Sequence, residues 1–131
     1  MGTNYLGFKD LNVFKISYSL AKKIFNLSLH FPKEEKYSLS DQIRRSSRSI
    51  AVNIAEAWSF RAYPKSFINK LTISYGEMSE TKVWLDFAKD HLYLNENDHK
   101  QLYDEYDKIG KMLYSMINHP EKFCHNNESK A

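Results

Sequence analysis

The sequence holds 131 residues, which is enough for one domain with a proper hydrophobic core. Hydrophobic residues make up 42% of it, and only four Gly and three Pro interrupt the chain, a composition that favours helices with short connections over a strand-rich sandwich. The formal charge of +3 is too small to indicate nucleic-acid binding by itself.

The charge is nevertheless distributed unevenly. Residues 36–70 contain seven Lys or Arg residues against Asp41 and Glu56, whereas the other 96 residues contain twelve basic and fourteen acidic ones. Cys124 is the single cysteine, so no disulfide can form within the chain. The first residues lack a signal-peptide pattern, and no apolar run approaches the roughly 18 residues that span a bilayer. We therefore expect a soluble cytoplasmic protein that has no membrane partner.

The first helix is predicted from about Asp10 to His30. It carries two apolar stripes: Leu11, Phe14, Tyr18, Ala21 and Phe25 form one, and Val13, Ile16, Leu20, Ile24, Leu27 and Phe31 form the other. Two stripes indicate burial over a wide arc, either between neighbouring helices or against a second subunit. Pro32 ends the helix, and the short charged link after it predicts an antiparallel second helix.

The second helix, from about Ser40 to Phe60, carries a core seam at helical spacing and a second smooth face. The seam is Ile43, Ser47, Ile50, Ile54 and Ala57. Either Ser38 with Asp41, or Ser40, supplies the N-cap. On the flank away from the seam, the basic residues are followed by the small or branched Ala51, Val52 and Ala55.

The third helix is predicted from about Pro64 to His91, with a long seam. That seam is Phe67, Leu71, Ser74, Met78, Thr81, Leu85, Ala88 and Leu92. The small Ser74 and Thr81 allow close helix approach. Gly76 indicates either a close crossing or a glycine that is simply tolerated.

The fourth helix is predicted from about Glu96 to Asn118, capped by Asn95 and Asp98. Its seam is Leu102, Tyr106, Ile109, Leu113 and Met116. The pattern predicts an all-α fold, an antiparallel up-down-up-down four-helix bundle over residues 1–120, with a polar tail over 121–131.

Three segments carry a resemblance to a known family: FKDLNVFKISYSLAKKIF, YSLSDQIRRSSRSIAVNIAEAWS and KSFINKLTISYGEMSETKVWLDFAKDHLYL. They resemble the four-helix-bundle family named after the 23S ribosomal RNA intervening sequence, whose members are often encoded in or beside insertions in bacterial 23S rRNA genes. The strongest parts are DQIRRSSRSI-x-x-NIAE and the stretch from Gly76 to Glu80.

The resemblance implies a bundle that assembles as a ring-like homopentamer. In this it is similar to the accessory protein of diversity-generating retroelements, which binds nucleic acid and a reverse transcriptase through a basic surface. The role of the intervening-sequence proteins themselves is unsettled, and the family has no established catalytic residues to carry over.

A basic surface for RNA phosphates is predicted on the second helix and just beyond it. Its members are Arg44, Arg45, Arg48, Arg61 and Lys65. Phe60 and Tyr63 are either stacking partners for unpaired bases or core residues. The alternative for the arginines is ion pairing, with Glu77 and Glu80 on the third helix or across subunits.

No catalytic or metal-binding constellation stands out. The five histidines are scattered at no ligand spacing, the pair Glu77 and Glu80 lacks an accompanying histidine, and no glycine-rich phosphate loop exists. We therefore expect neither cofactor nor metal, and no enzymatic activity.

Two function hypotheses remain. The first is a non-enzymatic oligomer that binds RNA, and the second is a protein–protein scaffold that binds no nucleic acid. Under both, Ala51, Val52 and Ala55 form the oligomer interface, because one bundle cannot bury both faces of the second helix.

Overall fold

The computed structural model describes residues 7–125, and within them it contains four long helices and no strand. They are α1 (Asn12–Ser28), α2 (Leu39–Ser59), α3 (Pro64–Asp90) and α4 (Glu96–Asn118). Helices that follow one another along the chain pack together, and α1 also packs against α4. The predicted all-α four-helix bundle is confirmed, with helix bounds within two residues of those expected.

The predicted seams form the core. The seam residues of α2 are all fully buried, as are those of α3 from Phe67 to Ala88 apart from a trace of exposure at Met78 and Leu85. In α1 the core stripe is Val13, Leu20 and Ile24, whereas Tyr18 of the other stripe is 54% exposed. The expectation that α1 has more apolar surface than one bundle buries is thus met in this chain.

Small polar residues bring α2 and α3 close together, as predicted. The Ser74 hydroxyl donates to the backbone oxygen of Ile50 (2.9 Å), and the hydroxyls of Thr81 and Ser46 are hydrogen-bonded at 2.8 Å. All three side chains are fully buried. Because each hydroxyl has a partner, their burial carries little desolvation penalty.

Leu92 does not belong to the α3 seam, and that prediction is wrong. The helix ends at Asp90, and Leu92 adopts a φ of 64°, which turns the chain back and leaves its side chain 89% exposed. Leu94 is buried in its place. The left-handed backbone costs a leucine about 1 kcal/mol relative to glycine.

The start of α2 is capped differently from the prediction. The Ser38 hydroxyl donates to Glu35 Oε1 (2.6 Å), and the same carboxylate oxygen accepts the backbone N–H of Leu39 (3.3 Å). Ser40 is buried inside the first turn. Ser38 holds the N-cap position as predicted, but neither its hydroxyl nor that of Ser40 caps α2, because the Glu35 carboxylate, placed by a 3-10 turn at Lys33–Glu35, accepts the free N–H instead. At α4 the predicted cap is present: Asn95 accepts the N–H of Asp98 at 2.7 Å.

The chain stays in contact with the bundle beyond the predicted boundary at residue 120. After a 3-10 turn at Pro120–Lys122, Phe123 stacks on Phe67 (6.2 Å between ring centroids) and meets Trp58 edge-on (6.4 Å). The packed part therefore extends to Phe123 at least. The last residues of the predicted tail, 126–131, lie outside the described residues.

Candidate self-association and nucleic-acid surface

A groove of about 740 Å³ runs between α1 and α2 on the outside of the bundle. Its apolar lining is Phe8, Phe14, Tyr18, Ala21 and Phe25 on one side and Ala51, Val52 and Ala55 on the other. The lining combines the outer stripe of α1 with the smooth face of α2. The groove follows the contact between α1 and α2, because the apolar residues that each helix leaves outside the core border that contact.

The wall formed by α1 and by the 3-10 turn Phe8–Asp10 that precedes it is aromatic and packed. Phe8 meets Phe14 edge-on with ring centroids 4.9 Å apart, and Phe14 stacks on Tyr18 at 5.8 Å. These contacts hold the wall in place without any occupant in the groove.

The three predicted interface residues of α2 differ in exposure. Val52 is 53% exposed, Ala55 is half-buried, and Ala51 is only 6% exposed. Val52 thus presents most of the accessible apolar area, while Ala51 lies at the floor of the groove, where contact with α1 already covers it.

Arg44 and Arg48 lie together at the rim of this groove. Their guanidinium groups are 4.8 and 5.5 Å from the centroid of the Phe25 ring, and Arg44 Nε donates to the Ser28 hydroxyl (2.6 Å). Stacking on Phe25 fixes both groups while leaving their remaining N–H donors available. Arg48 is exposed and Arg44 half-buried.

Arg45 points the other way, toward α3. Its two terminal nitrogens lie 3.2 Å from the two Glu77 oxygens, and one also donates to Glu80 Oε2. The hydrogen bonds that Arg45 donates to Glu77 and Glu80 raise the pKa of Arg45. Burial alone would raise the pKa of Glu80, but hydrogen bonds from Trp84 and Arg45 outweigh it and lower the pKa. The ion-pair alternative, and not the RNA one, describes the contacts of Arg45.

Arg61 and Lys65 lie at the far end of α2, about 25 Å along the helix axis from Arg44. Arg61 stacks over Trp58 at 3.9 Å and donates from Nε to the Trp58 backbone oxygen (3.0 Å). Lys65 is exposed in the first turn of α3. Nearby, Tyr63 is 62% and Phe60 37% exposed. The five predicted cations therefore form separate groups and not one patch.

The sequence interpretation missed the lysines of α1. No acidic residue occurs from residue 11 to residue 33, whereas Lys15, Lys22 and Lys23 all lie in α1. Lys22 lines the groove beside Arg48, and its Nζ is 5.2 Å from the centroid of the Tyr18 ring. A count of charges by helix would have revealed this acid-free segment.

The described residues contain neither a cluster of potential metal ligands nor a helix suited to span a membrane. In residues 7–125, no group of three or more His, Cys, Asp or Glu side chains could hold a metal ion. None of the described helices is both long enough and apolar enough to cross a bilayer.

The structure defines the class as an all-α four-helix bundle with an aromatic groove between α1 and α2, and comparison with known proteins specifies the family. The family model for the 23S rRNA-intervening sequence protein matches residues 9–115. The chain belongs to this family.

One similar solved structure is a protein of unknown function from the S23 ribosomal protein family of Bacteroides thetaiotaomicron VPI-5482. It shares 34% sequence identity, with a TM-score of 0.74, over 81% of this chain and 95% of that one. No curated protein matches the sequence. None of these findings indicates an enzyme family.

Proposed function

We propose that this chain is a non-enzymatic protein of the bacterial cytoplasm that self-associates through the α1–α2 groove and binds RNA through the cations at its rim. The observation that carries the proposal is the groove itself, because its exposed apolar surface is bordered by Lys22 and Arg48, with Glu56 as the one carboxylate among its described lining residues. Contiguous exposed apolar surface marks interaction sites, and guanidinium groups suit phosphate oxygens.

Self-association is supported by the exposure of Val52 and Tyr18, both more than half accessible in the separate chain. A second copy that covers the groove would remove this surface from water. The expectation of a homopentamer comes from the family resemblance, and it supports a closed assembly in which each copy presents the same basic rim.

RNA binding is supported by the stripe Lys15, Tyr18 and Lys22 on α1, with Arg48 across the groove. The residues of this stripe are three or four positions apart and therefore lie on one face of the helix. The lysine ammonium groups at the edge of the groove suit phosphate oxygens, and they stay in water when a second copy covers the apolar lining that includes Tyr18. Repetition of this stripe in every copy would add the weak contacts of each chain into tight binding.

A protein–protein scaffold that binds no nucleic acid is the second candidate. The engagement of Arg45 by Glu77 and Glu80 favours it, since this arginine is the most heavily paired of the predicted phosphate ligands. The two candidates share the groove and differ in what the rim binds.

Self-association is tested with Val52→Glu, which places a carboxylate in the apolar groove. We expect a fall in mass toward the monomer in light scattering at micromolar concentration. Val83→Glu is the matched control, because Val83 is 49% exposed on α3 and lies outside the groove. A monomeric unmutated chain, or dissociation by the control alone, would refute the groove as the interface.

RNA binding is tested with the double variant Lys15→Gln and Lys22→Gln and an unstructured RNA probe. Each lost phosphate contact should reduce the slope of log affinity against log salt by about 0.7, so the double variant should lose about 1.4. Lys100→Gln with Lys108→Gln is the control, since these α4 lysines pair with Asp104 and Glu105 and their loss changes the net charge equally. If the unmutated oligomer has no affinity for RNA at low salt, the scaffold candidate stands instead.

A further inference from the structure

The end of the bundle where α1 and α3 finish exposes an apolar surface that the proposed function does not use. It consists of Phe31, Phe87, His91, Leu92 and Tyr93, and we call it the loop-end surface. Leu92 is 89% exposed, Phe87 is 47% exposed, and His91 is also exposed. Leu29, in the connection after α1, is another exposed apolar residue, at 59%.

The aromatic side chains of this surface stack in one series that joins two connections. Phe87 stacks on His91 at 6.0 Å, His91 meets Tyr93 at 5.6 Å, and Tyr93 meets Phe31 at 5.7 Å. The Tyr93 hydroxyl donates to Glu35 Oε2 (2.9 Å), which ties the α3–α4 connection to the α1–α2 connection. These contacts order the side chains of the loop-end surface in the free protein, so partner binding costs little of their conformational entropy.

Leu92 is an independent observation that points to a binding role. Its φ of 64° lies in the left-handed region, where glycine or asparagine is favoured. The leucine side chain gains no core contact in return, because it is 89% exposed. Residues with a left-handed backbone cluster at functional sites. At position 92, neither the backbone conformation nor packing in the core accounts for the choice of a large apolar side chain.

The charge around the surface indicates which partner it fits. The α1–α2 connection (29–38), together with the α3–α4 connection and the helix ends that flank it (88–98), holds five acidic residues against three lysines, in a chain whose net charge is +3. Glu34, Asp90 and Glu96 are exposed there. An acidic excess repels RNA phosphates and favours a cationic partner.

We propose that the loop-end surface docks an amphipathic helix of a partner protein, with leucine-type side chains covering Leu92 and Phe87 and lysines or arginines facing Glu34 and Asp90. A helix in this mode presents its apolar residues at helical spacing to a hydrophobic surface and its charges to the edge. The docking site lies on a different part of the bundle from the α1–α2 groove and does not depend on its role.

The test uses the full chain and a fluorescent synthetic peptide of roughly 18 Leu and Lys residues with a helical apolar stripe. Leu92→Asn keeps a residue that tolerates the left-handed backbone and removes the apolar contact, so binding should weaken about tenfold or more. Its melting temperature should equal or exceed that of the unmutated chain, which separates lost binding from lost folding. Phe87→Ser should weaken binding similarly, whereas the matched control Val83→Asn, also half-exposed on α3, should not.

A peptide with Glu in place of every Lys should bind the unmutated chain about tenfold more weakly or worse. Equal binding of the two peptides, or unchanged binding by Leu92→Asn, would overturn the proposal. If Leu92→Asn instead lowers the oligomer mass, the occupant is a second copy, and if it abolishes RNA binding, the occupant is RNA. Either result also overturns it. Loss of peptide binding in Val52→Glu but not in Leu92→Asn would place the peptide in the α1–α2 groove, and that result would overturn the proposal too.

Discussion

The hydroxyl of Tyr106 lies in the centre of the bundle, and no described residue forms a hydrogen bond with it. Burial raises the pKa of this tyrosine, because the charged form has no solvent around it. The buried hydroxyls of Ser74 and Thr81, by contrast, both form hydrogen bonds. The phenol oxygen therefore contributes a desolvation penalty, while the ring contributes packing.

Tyr106→Phe should leave the free energy of unfolding unchanged or raise it by about 1–3 kcal/mol, since it deletes an unpaired buried polar atom. Tyr93→Phe is the control, because its hydroxyl donates to Glu35, and we expect this variant to lose stability. Urea denaturation of both variants measures the two values. A loss of more than about 1 kcal/mol in Tyr106→Phe would show that the hydroxyl has a partner, such as a buried water.

At the scale of the helices, the two helical glycines have different surroundings. A Cβ added at Gly76 would meet no atom within 4 Å outside its own helix, so the close crossing considered for that position is absent and the glycine is simply tolerated. A Cβ at Gly110 would lie 3.0 Å from the methyl group of Met78. The tight approach between α3 and α4 therefore lies at Gly110.

Gly76→Ala should raise the free energy of unfolding by about 1 kcal/mol, because it lowers the entropy of the unfolded chain and strains nothing. Gly110→Ala should gain clearly less, since the Met78 methyl must move. Thermal unfolding of the two variants side by side gives the comparison. An equal gain at both sites would mean that Met78 yields without cost.

The start of α2 makes stability depend on pH. Hydrogen bonds from Ser38, then Tyr93, lower the pKa of Glu35, so its ionised form is favoured in the folded chain. A lowered pKa contributes stability above the unfolded value, which is about 4.3 for a free glutamate, and this contribution is lost as the pH falls from there through the lower folded value.

Glu35→Gln should therefore cost about 0.5–1 kcal/mol at neutral pH, a modest figure because the carboxylate is partly exposed. The difference from the unmutated chain should vanish near pH 3. Glu34→Gln, an exposed neighbour with the same charge change, should have little effect at either pH. A loss in Glu35→Gln that persists at low pH would show that the carboxylate charge is not the cause.

The sequence predicted the four helices and their buried faces. It predicted the exact helix ends and the contacts of surface side chains less well. Apolar spacing of three and four residues identifies buried faces reliably, which is why the seams of α2 and α4 were predicted in full. Spacing says nothing about where a helix stops, so Leu92 was placed in a seam that ends before it. It also cannot tell whether a long arginine points to solvent or to a neighbouring helix, as Arg45 does to reach Glu77.

At the scale of the whole molecule, the groove brings together two sites that were predicted separately. Arg48, expected to bind RNA, and Val52, expected at a subunit interface, line the same groove. They are one helical turn apart on α2, so a second copy in the groove would place basic residues at the edge of the interface. Association and RNA binding are then linked by geometry.

The C-terminal segment packs against the end of α2 and the start of α3, at the opposite end of the bundle from the loop-end surface. Phe123 covers Phe67 and Trp58, and the N–H of His125 donates to the Arg61 backbone oxygen (2.9 Å). Phe123→Ala should lower the free energy of unfolding by about 1–3 kcal/mol, less than for a fully buried phenylalanine. Lys122→Ala, an exposed neighbour, serves as the control. Equal stability of the two variants in urea would show that this segment adds nothing to the bundle.

The placement of the two tryptophans gives each end of the bundle its own fluorescent signal. Trp58 is 6% exposed and packs beside Phe123, whereas Trp84 is half-buried, donates to Glu80 and stacks near Phe87. With Trp84 replaced by Phe, emission reports on the packing of the C-terminal segment. With Trp58 replaced, it reports on events beside the loop-end surface, so the two single-tryptophan variants together show, without any label, which end of the molecule a ligand or a denaturant reaches first.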